Sequence, residues 1–548
     1  MPNQISIIPE SAPFNEEQRA WLDGFLSGWL GLQAAGAGLE SSNGISAATA
    51  TLPAPEEAAD EDEDFPWHDP ALPIDERLTL AEGKSRSRQL MAAMAQLDCG
   101  TCGYDCRRYA EAIASGEETS LKLCSPGGKE TAKALKELVK LELPEGPSTS
   151  VNGHAPAHAD SNAQSTITQP VAETAVSKWS RQRPFPAKIL SVRNLNGDGS
   201  AKYTTHVEIA LGEEGPQYEP GDALGVFPVN CTDLVAEVIA ELGAEATEPV
   251  DIGSSVLPLH EALARKTCLT EVTDELLELL ASRCTEPAES ERAKRLIDDC
   301  DEIEGLDVLD VLRQFPSAQL SSADFARSLS PMKPRLYSIS SSPRIHPGEV
   351  HLTVGRVMWQ AGDRIRKGVA STMFSDRLQP GQTVEVFVQP SHGFRLPEDP
   401  MRGLIMIGPG TGIAPFRAFL EERRAVAAPG PCWLFFGDQH GETDFLYRDE
   451  LEDLQRDGVL ARLDVAFSRD QEQKIYVQDR MLASGREFWN WLDAGASVYV
   501  CGDAKRMARD VDNALRKIIA EAGRRTPEQA DEYVKQMIAE RRYCRDVY

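Results

Sequence analysis

After Pro400 the chain carries four short apolar runs, GLIMIG, CWLFFG, RLDVAFS and SVYVCG, separated by stretches with helical periodicity. Short apolar runs without polar alternation are strands buried on both faces, and strands that alternate with helices fold as a doubly wound parallel sheet. An α/β domain is therefore expected over 400–548. The first run leads into GPGTGIAPFRAFL, where Gly408, Gly410 and Gly412 let a dinucleotide approach the backbone at the start of a helix. Ile413 stands where the Rossmann fingerprint would have its third glycine.

Ahead of this domain the texture differs. From Pro184 onward, AKILSVRNL, THVEIAL and VEVFVQP alternate apolar and polar residues between turns, which predicts an antiparallel β-barrel over 178–399. Residues 231–330 interrupt it with helical periodicity, DELLELLASRC being the clearest amphipathic stretch, and read as a helical insertion. In RLYSISSSP, Arg335 can pair with a pyrophosphate, Tyr337 can lie against a flat ring and Ser338 can hydrogen-bond at its edge. The segment from Gly368 through Val369, Ala370 and Ser371 to Thr372 reads as a turn opening a helix, with amides and hydroxyls placed for a diphosphate. Two phosphate sites in one barrel point to FAD. Downstream, Ser468 and Arg469 end a strand, and Lys474, Tyr476 and Gln478 follow closely. A hydroxyl, a guanidinium and an ammonium together suit a 2′-phosphate, hence NADPH over NADH; the alternative is an exposed charged loop.

Four cysteines, Cys99, Cys102, Cys106 and Cys124, lie upstream in CGTCGYDC and LCSPGG. An iron–sulfur cluster needs four converging thiolates, and a tight turn can deliver three while a distant residue closes the site. A structural zinc site also takes four cysteines, but more often as two matched pairs. The remaining cysteines are scattered, as in a reducing compartment. Leu78 to Leu143 has helical periodicity around the four thiols, with an amphipathic helix near Lys129 to Leu141, so the cluster domain is expected over 78–143.

At 548 residues the chain is too long for one core. Residues 1–33 read as an amphipathic helix with Trp21, Leu22, Phe25, Leu26, Trp29 and Leu30 at helical spacing, suited to docking on its own chain, on a second copy as a homo-oligomer, or on a partner. It is too short, and interrupted by Asp23, to span a bilayer. Residues 34–77, with the run EEAADEDED, read as an acidic linker, and 144–177 as a flexible one. A net charge of −29 argues against nucleic acid or an anionic membrane as partner; it favours a basic partner or simply serves solubility. The start MPNQISIIPES has neither a basic n-region nor a cleavage site, so the expected location is the cytoplasm.

Two resemblances follow. The cysteine segment resembles the small 4Fe-4S domain of membrane redox complexes and corrinoid iron–sulfur proteins, with a second gap one residue shorter than in that family. From about Lys178 onward, RLYSISSSP, GVAST, FRLP, MIGPGTGIAPFRAFL, WLFFGDQ, DFLYRDE, AFSRDQEQKIYVQD, VYVCGDAKRMARDV and RRYCRDVY resemble the ferredoxin-NADP reductase superfamily, and within it the flavoprotein alpha subunits of assimilatory NADPH-sulfite reductases. QRAWLDGFLSGWLG is also similar to the leading segment of those subunits. The resemblance implies FAD contacts at Arg335, Tyr337, Ser338, Gly368, Val369, Ser371 and Thr372, an adenine-stacking role for Trp359, and a cofactor-binding role for Thr353. It implies NADP contacts at Gly410, Thr411, Ser468, Arg469, Lys474, Tyr476, Gln478 and Asp503. Ser338, Cys501 and Asp546 match the polar group around the nicotinamide and flavin, and Tyr548 the terminal aromatic that covers the flavin.

That family normally has a flavodoxin-like FMN domain ahead of the barrel. The four-cysteine domain occupies its place here, so no FMN is expected and the cluster becomes the one-electron carrier. The implied acceptor is a sirohaem and iron–sulfur haemoprotein that reduces sulfite to sulfide. Alternatives are a nitrite or nitrate reductase, a ferredoxin-like acceptor, or a zinc-bound interaction module on a reductase scaffold.

Overall fold

The computed structural model describes residues 67, 72–96, 104, 106–124, 127–140 and 178–548, apart from 254, 299, 304, 392 and 505. The expected N-terminal helix, the linker 144–177, Cys99 and Cys102 lie outside the described residues. Among the described residues, no helix is long and apolar enough to cross a membrane.

The N-terminal described part is a small helical unit with helices Ile74–Leu80, Arg86–Ala92, Cys106–Ser115 and Gly128–Lys140. It starts earlier than the expected boundary at residue 78, because Trp67 is buried against Ala81 and Ala92. Leu90, Met94, Tyr109, Ile113 and Leu135 form its core, and Cys106 and Cys124 are buried in the same cluster.

Among the described residues, the first large domain is an antiparallel barrel of six strands. In chain order these are β1 (Phe185–Asn194), β2 (Thr204–Ala210) and β3 (Ala223–Phe227); then, past the short pair β4 (Pro249–Asp251) and β5 (Val256–Pro258), β6 (Arg335–Ser338) and β7 (Glu349–Gly355). After the hairpin of β8 (Met358–Ala361) and β9 (Arg364–Lys367) comes β10 (Thr383–Gln389). The hydrogen-bonded order is β6-β3-β10-β1-β2-β7. A bridge between Ile339 and Leu352, with Ser340 N donating to the His351 carbonyl at 2.9 Å, joins the two ends. Alternate residues such as Val207, Ile209, Leu224, Val226, Leu352 and Val386 fill the interior.

Between β3 and β6 the described residues build six α-helices, from Thr232–Glu241 to Ser322–Ser328, around a core of their own. The β8–β9 hairpin, which carries Trp359, is tied to this insertion by charge. Arg364 bonds Asp307 at 2.9 Å and Asp310 at 2.7 Å, and Arg366 also pairs with Asp310. Asp307 and Asp310 in turn form the capping box of helix Val308–Gln314.

The second large domain is a five-stranded parallel sheet of β11 (Leu404–Ile407), β12 (Cys432–Asp438), β13 (Leu460–Phe467), β14 (Ser497–Gly502) and β15 (Tyr543–Val547), in the order β13-β12-β11-β14-β15. Every residue of β11, β12 and β14 is buried, which explains the unbroken apolar runs. The order reverses between β11 and β14, so the ligand crevice is expected at the carboxyl ends of those two strands.

Candidate functional site: a cleft between barrel and parallel sheet

A cavity of about 1640 Å³ opens where that crevice faces the barrel wall. Ordinary small-molecule pockets are roughly 300–1,000 Å³, so there is room here for more than one ligand. On the barrel side β6 supplies Arg335, Tyr337 and Ser338, and β7 supplies Thr353. Trp359 on the β8–β9 hairpin lines the cavity while 47% exposed, leaving a broad aromatic face for a flat ring. Gly368, Val369 and Ser371 line it at a four-residue helix start, where Ser371 Oγ accepts from Val357 N at 3.1 Å. Thr372 is not on the wall; its buried hydroxyl turns back onto the Gly368 carbonyl at 2.9 Å.

On the sheet side Gly410, Thr411, Ser468, Tyr476, Gln478 and Asp503 reach the cavity. Gly410, on the cavity wall, has φ +57°, a backbone conformation that favours glycine. A Cβ at Gly412 would lie 2.2 Å from the Cys501 carbonyl oxygen, so only glycine lets the loop rest on the end of β14. Gly412 thus makes the close packing that the usual third glycine would make, and Ile413 is buried among Phe416, Phe419 and Leu434. Asp503 also holds the start of helix Met507–Glu521, its Oδ1 accepting from Arg506 N at 2.7 Å. Arg469 and Lys474 are exposed beside the cavity rather than on its wall.

Asp546 sits where the two walls meet. Ser338 Oγ, from the barrel, donates to Asp546 Oδ2 at 2.6 Å, and Cys501 Sγ, from β14, lies 3.7 Å from the same oxygen. Burial raises the Asp546 carboxyl above its usual range, and the two hydrogen bonds oppose that rise. Burial, reinforced by the Asp546 charge, pushes the Cys501 thiol well above its usual range, so Cys501 is a neutral S–H donor behind the wall. Tyr548 closes the group. Its backbone N donates to the Gly502 carbonyl at 3.0 Å and its hydroxyl meets Thr411 Oγ1 at 2.9 Å, while the residue is 56% exposed over the cavity.

Some cavity residues are given no role by the sequence alone. Lys202, just ahead of β2, bonds Asp438 at the end of β12 at 2.5 Å, across 236 residues of sequence. Burial raises the Asp438 carboxyl despite the pull of Lys202, and Asp438 Oδ2 is buried with no hydrogen-bond partner. Arg506, also on the wall, adds a cation that the motifs did not single out. Only the fold brings these groups together.

A buried polar junction fixes the two walls. Arg417, on helix Ala414–Ala425, donates to Glu450 at 2.6 Å and to the Ser340 carbonyl at 2.6 Å, and pairs with Glu421 at 2.9 Å. Its guanidinium lies over the Tyr447 ring, whose hydroxyl meets Thr353 at 2.7 Å and His206 Nδ1 at 2.8 Å. His346, Glu349 and His351 bring metal-ligating atoms within 4.8 Å, but His346 contacts Glu421 at 3.1 Å, His351 contacts Glu349 at 3.2 Å, and both belong to this junction.

In the helical unit, Tyr109 lies one turn beyond Cys106. Its hydroxyl donates to the Ser120 carbonyl at 2.7 Å and accepts from Leu123 N at 3.2 Å, which anchors the segment leading to Cys124. A Cβ at Gly127 would stand 3.1 Å from Cys124 Sγ and 2.1 Å from Thr131 Oγ1, so glycine keeps this backbone close to the sulfur. Two buried thiols held by separate segments fit a cluster completed by further thiolates.

Comparison with known proteins agrees with this geometry. The family model for an FAD binding domain matches residues 177–373, that for an oxidoreductase NAD-binding domain residues 406–513, and one described as "Putative Fe-S cluster" residues 94–126. The chain is 46% identical over 392 residues to the sulfite reductase [NADPH] flavoprotein alpha-component of Bacillus subtilis strain 168, covering 69% of this chain and 63% of the relative. It is 43% identical over 402 residues to the alpha-component of Escherichia coli K12, covering 73% and 66%. A third, from Mannheimia succiniciproducens, is 44% identical over 374 residues, covering 68% and 62%. The chain thus spans slightly less than two thirds of the length of these curated relatives.

Proposed function

We propose that the chain, which is similar over 392 residues to a sulfite reductase flavoprotein alpha-component and matches FAD-binding, NAD-binding and Fe-S family models, carries electrons from NADPH through FAD and a 4Fe-4S cluster to a sirohaem haemoprotein. That partner would reduce sulfite to sulfide, and the pair would work in the cytoplasm. The observation that carries the reading is the cleft in which the barrel wall with Arg335, Tyr337 and Ser338 faces the switch point of the parallel sheet, with Asp546 between them.

FAD and the cluster would together supply the conversion of hydride chemistry into single-electron chemistry. The rest of the work falls to the chain's own residues. Arg335 and the Gly368–Ser371 turn bind the flavin's diphosphate, while Trp359 offers a stacking face for its adenine. Gly410, Thr411, Ser468 and Tyr476 bind the nicotinamide dinucleotide, with Arg469 and Lys474 reading its 2′-phosphate. Ser338, Cys501 and Asp546 orient the reacting rings. Tyr548 shields the flavin from water and must leave before nicotinamide can stack, which makes it a gate. Cys99, Cys102, Cys106 and Cys124 hold the cluster in place of an FMN domain, and the linker 144–177 tethers it.

Replacing all four cysteines with serine tests the relay. The variant should lose iron and acid-labile sulfide, keep NADPH reduction of FAD, and lose electron delivery to the haemoprotein. Undiminished delivery would sink the proposal.

A further inference from the structure

The helical unit meets the reductase at a definite place. Gln96, the last described residue before the cysteine loop, lines the same cavity as Tyr337, Trp359 and Thr270. In sequence Cys99 follows Gln96 by three positions, and three residues reach at most about 11 Å when extended. Lys122, two positions before Cys124, pairs with Asp274, which opens helix Asp274–Arg283 of the insertion and stands four positions after Thr270. One flank of the cysteine segment therefore touches the cavity, and the other is anchored by charge on the insertion beside it.

We propose that this contact is the pose in which electrons leave the reductase, with the Thr270–Asp274 rim of the insertion as the docking surface for the chain's own cluster unit. The inference rests on the relay reading above and locates its transfer step. Each hydride from NADPH carries two electrons; these leave one at a time through the cluster to the acceptor, and the proton passes to solvent. The Lys122 and Asp274 side chains are 50% and 39% exposed, so water competes for both, and the hold is weak and sensitive to salt. A weak hold suits a tethered unit that must release the rim in order to meet an acceptor.

Two measurements on the full-length, cluster-loaded chain test this. Zero-length carbodiimide coupling followed by peptide mass analysis should yield a Lys122–Asp274 link. The exposed pair Lys178–Glu214, at 3.4 Å within the reductase, serves as internal reference. Linking of the reference without the Lys122–Asp274 link would overturn the docking surface. In stopped-flow experiments after NADPH addition, Lys122→Glu or Asp274→Lys should slow bleaching of the cluster about two- to five-fold, the range an exposed ion pair supports. The double charge swap should restore the rate, and the NADPH-to-FAD step should be unchanged in all three variants. If wild-type cluster bleaches but the single variants match it, or the swap fails to rescue, the surface is wrong and the relay stands. If wild-type cluster never bleaches, the relay is wrong and the transfer pose falls with it, whatever the coupling shows.

Discussion

Where the barrel meets the parallel sheet, Arg417 is buried and bonded to Glu421, Glu450 and the Ser340 carbonyl; where the helical unit meets the insertion, Lys122 and Asp274 pair in partial contact with water. Under the proposed relay the two junctions would serve different chemistry. Hydride transfer needs two rings held at contact distance and orientation, so the parts that carry them must not drift. A single electron tolerates a looser approach, and a carrier that visits two sites cannot be locked to either. Buried charge that cannot be removed cheaply builds the first junction, and exposed charge builds the second.

The largest expected effect breaks the rigid junction directly. Arg417→Met removes the cation that Glu421 and Glu450 share, leaving Glu421 with His346 and Glu450 with Arg193, and should cost about 3 kcal/mol of stability in chemical denaturation. Lys122→Glu should change it by less than about 0.5 kcal/mol. Similar values for the two would erase the contrast.

Acid should act on the same junction. Burial, helped by Arg417, lowers His206 from its ordinary value to about 2, and burial, helped by His346 and Arg417, lowers His351 to about 3. Both stay neutral in the folded chain, whereas the unfolded chain takes up their protons below about pH 6.5. Folding stability should therefore fall as pH drops from 6.5 toward 3, by up to about 1.4 kcal/mol per pH unit for each histidine. Urea midpoints measured from pH 7.5 to 5 check this, and a flat profile would contradict it.

The smallest effect concerns the exposed side of the cleft. Arg469→Ala should raise KM for NADPH about ten-fold and leave NADH nearly unchanged, as expected for one charge-assisted bond to the 2′-phosphate. Equal losses with both cofactors would move that role to another cation, with Arg506 on the wall as the next to test.

The sequence carried the parallel sheet because β11, β12 and β14 are buried on both faces and read as unbroken apolar runs. It did not carry β15. YCRDV is too polar to be recognised as a strand, and it forms one by pairing with β14 at Val498–Tyr543 through Gly502–Val547. That strand is what delivers Asp546 to Ser338. The glycine loop is legible in the sequence as the turn from a strand into a helix, but the close packing at Gly412 depends on its contact with Cys501. Lys202 with Asp438, and Arg417 with Ser340, join positions far apart in sequence, and no local periodicity encodes such pairs. Thr372 shows the converse: a hydroxyl in a suggestive motif that the helix uses for itself.

The strand order of the barrel also constrains how the molecule is made. Phe185 at the start of β1 pairs with Val386 in β10, and Leu224 in β3 pairs with Tyr337 across the whole helical insertion. During synthesis the β1–β2 hairpin can form early, but β3 must wait for β6, and β1 must wait for β10. The insertion, with a core of its own, can settle meanwhile. A nascent chain thus displays unpaired strand edges through much of its translation, when a chaperone that shields them has the most to contribute.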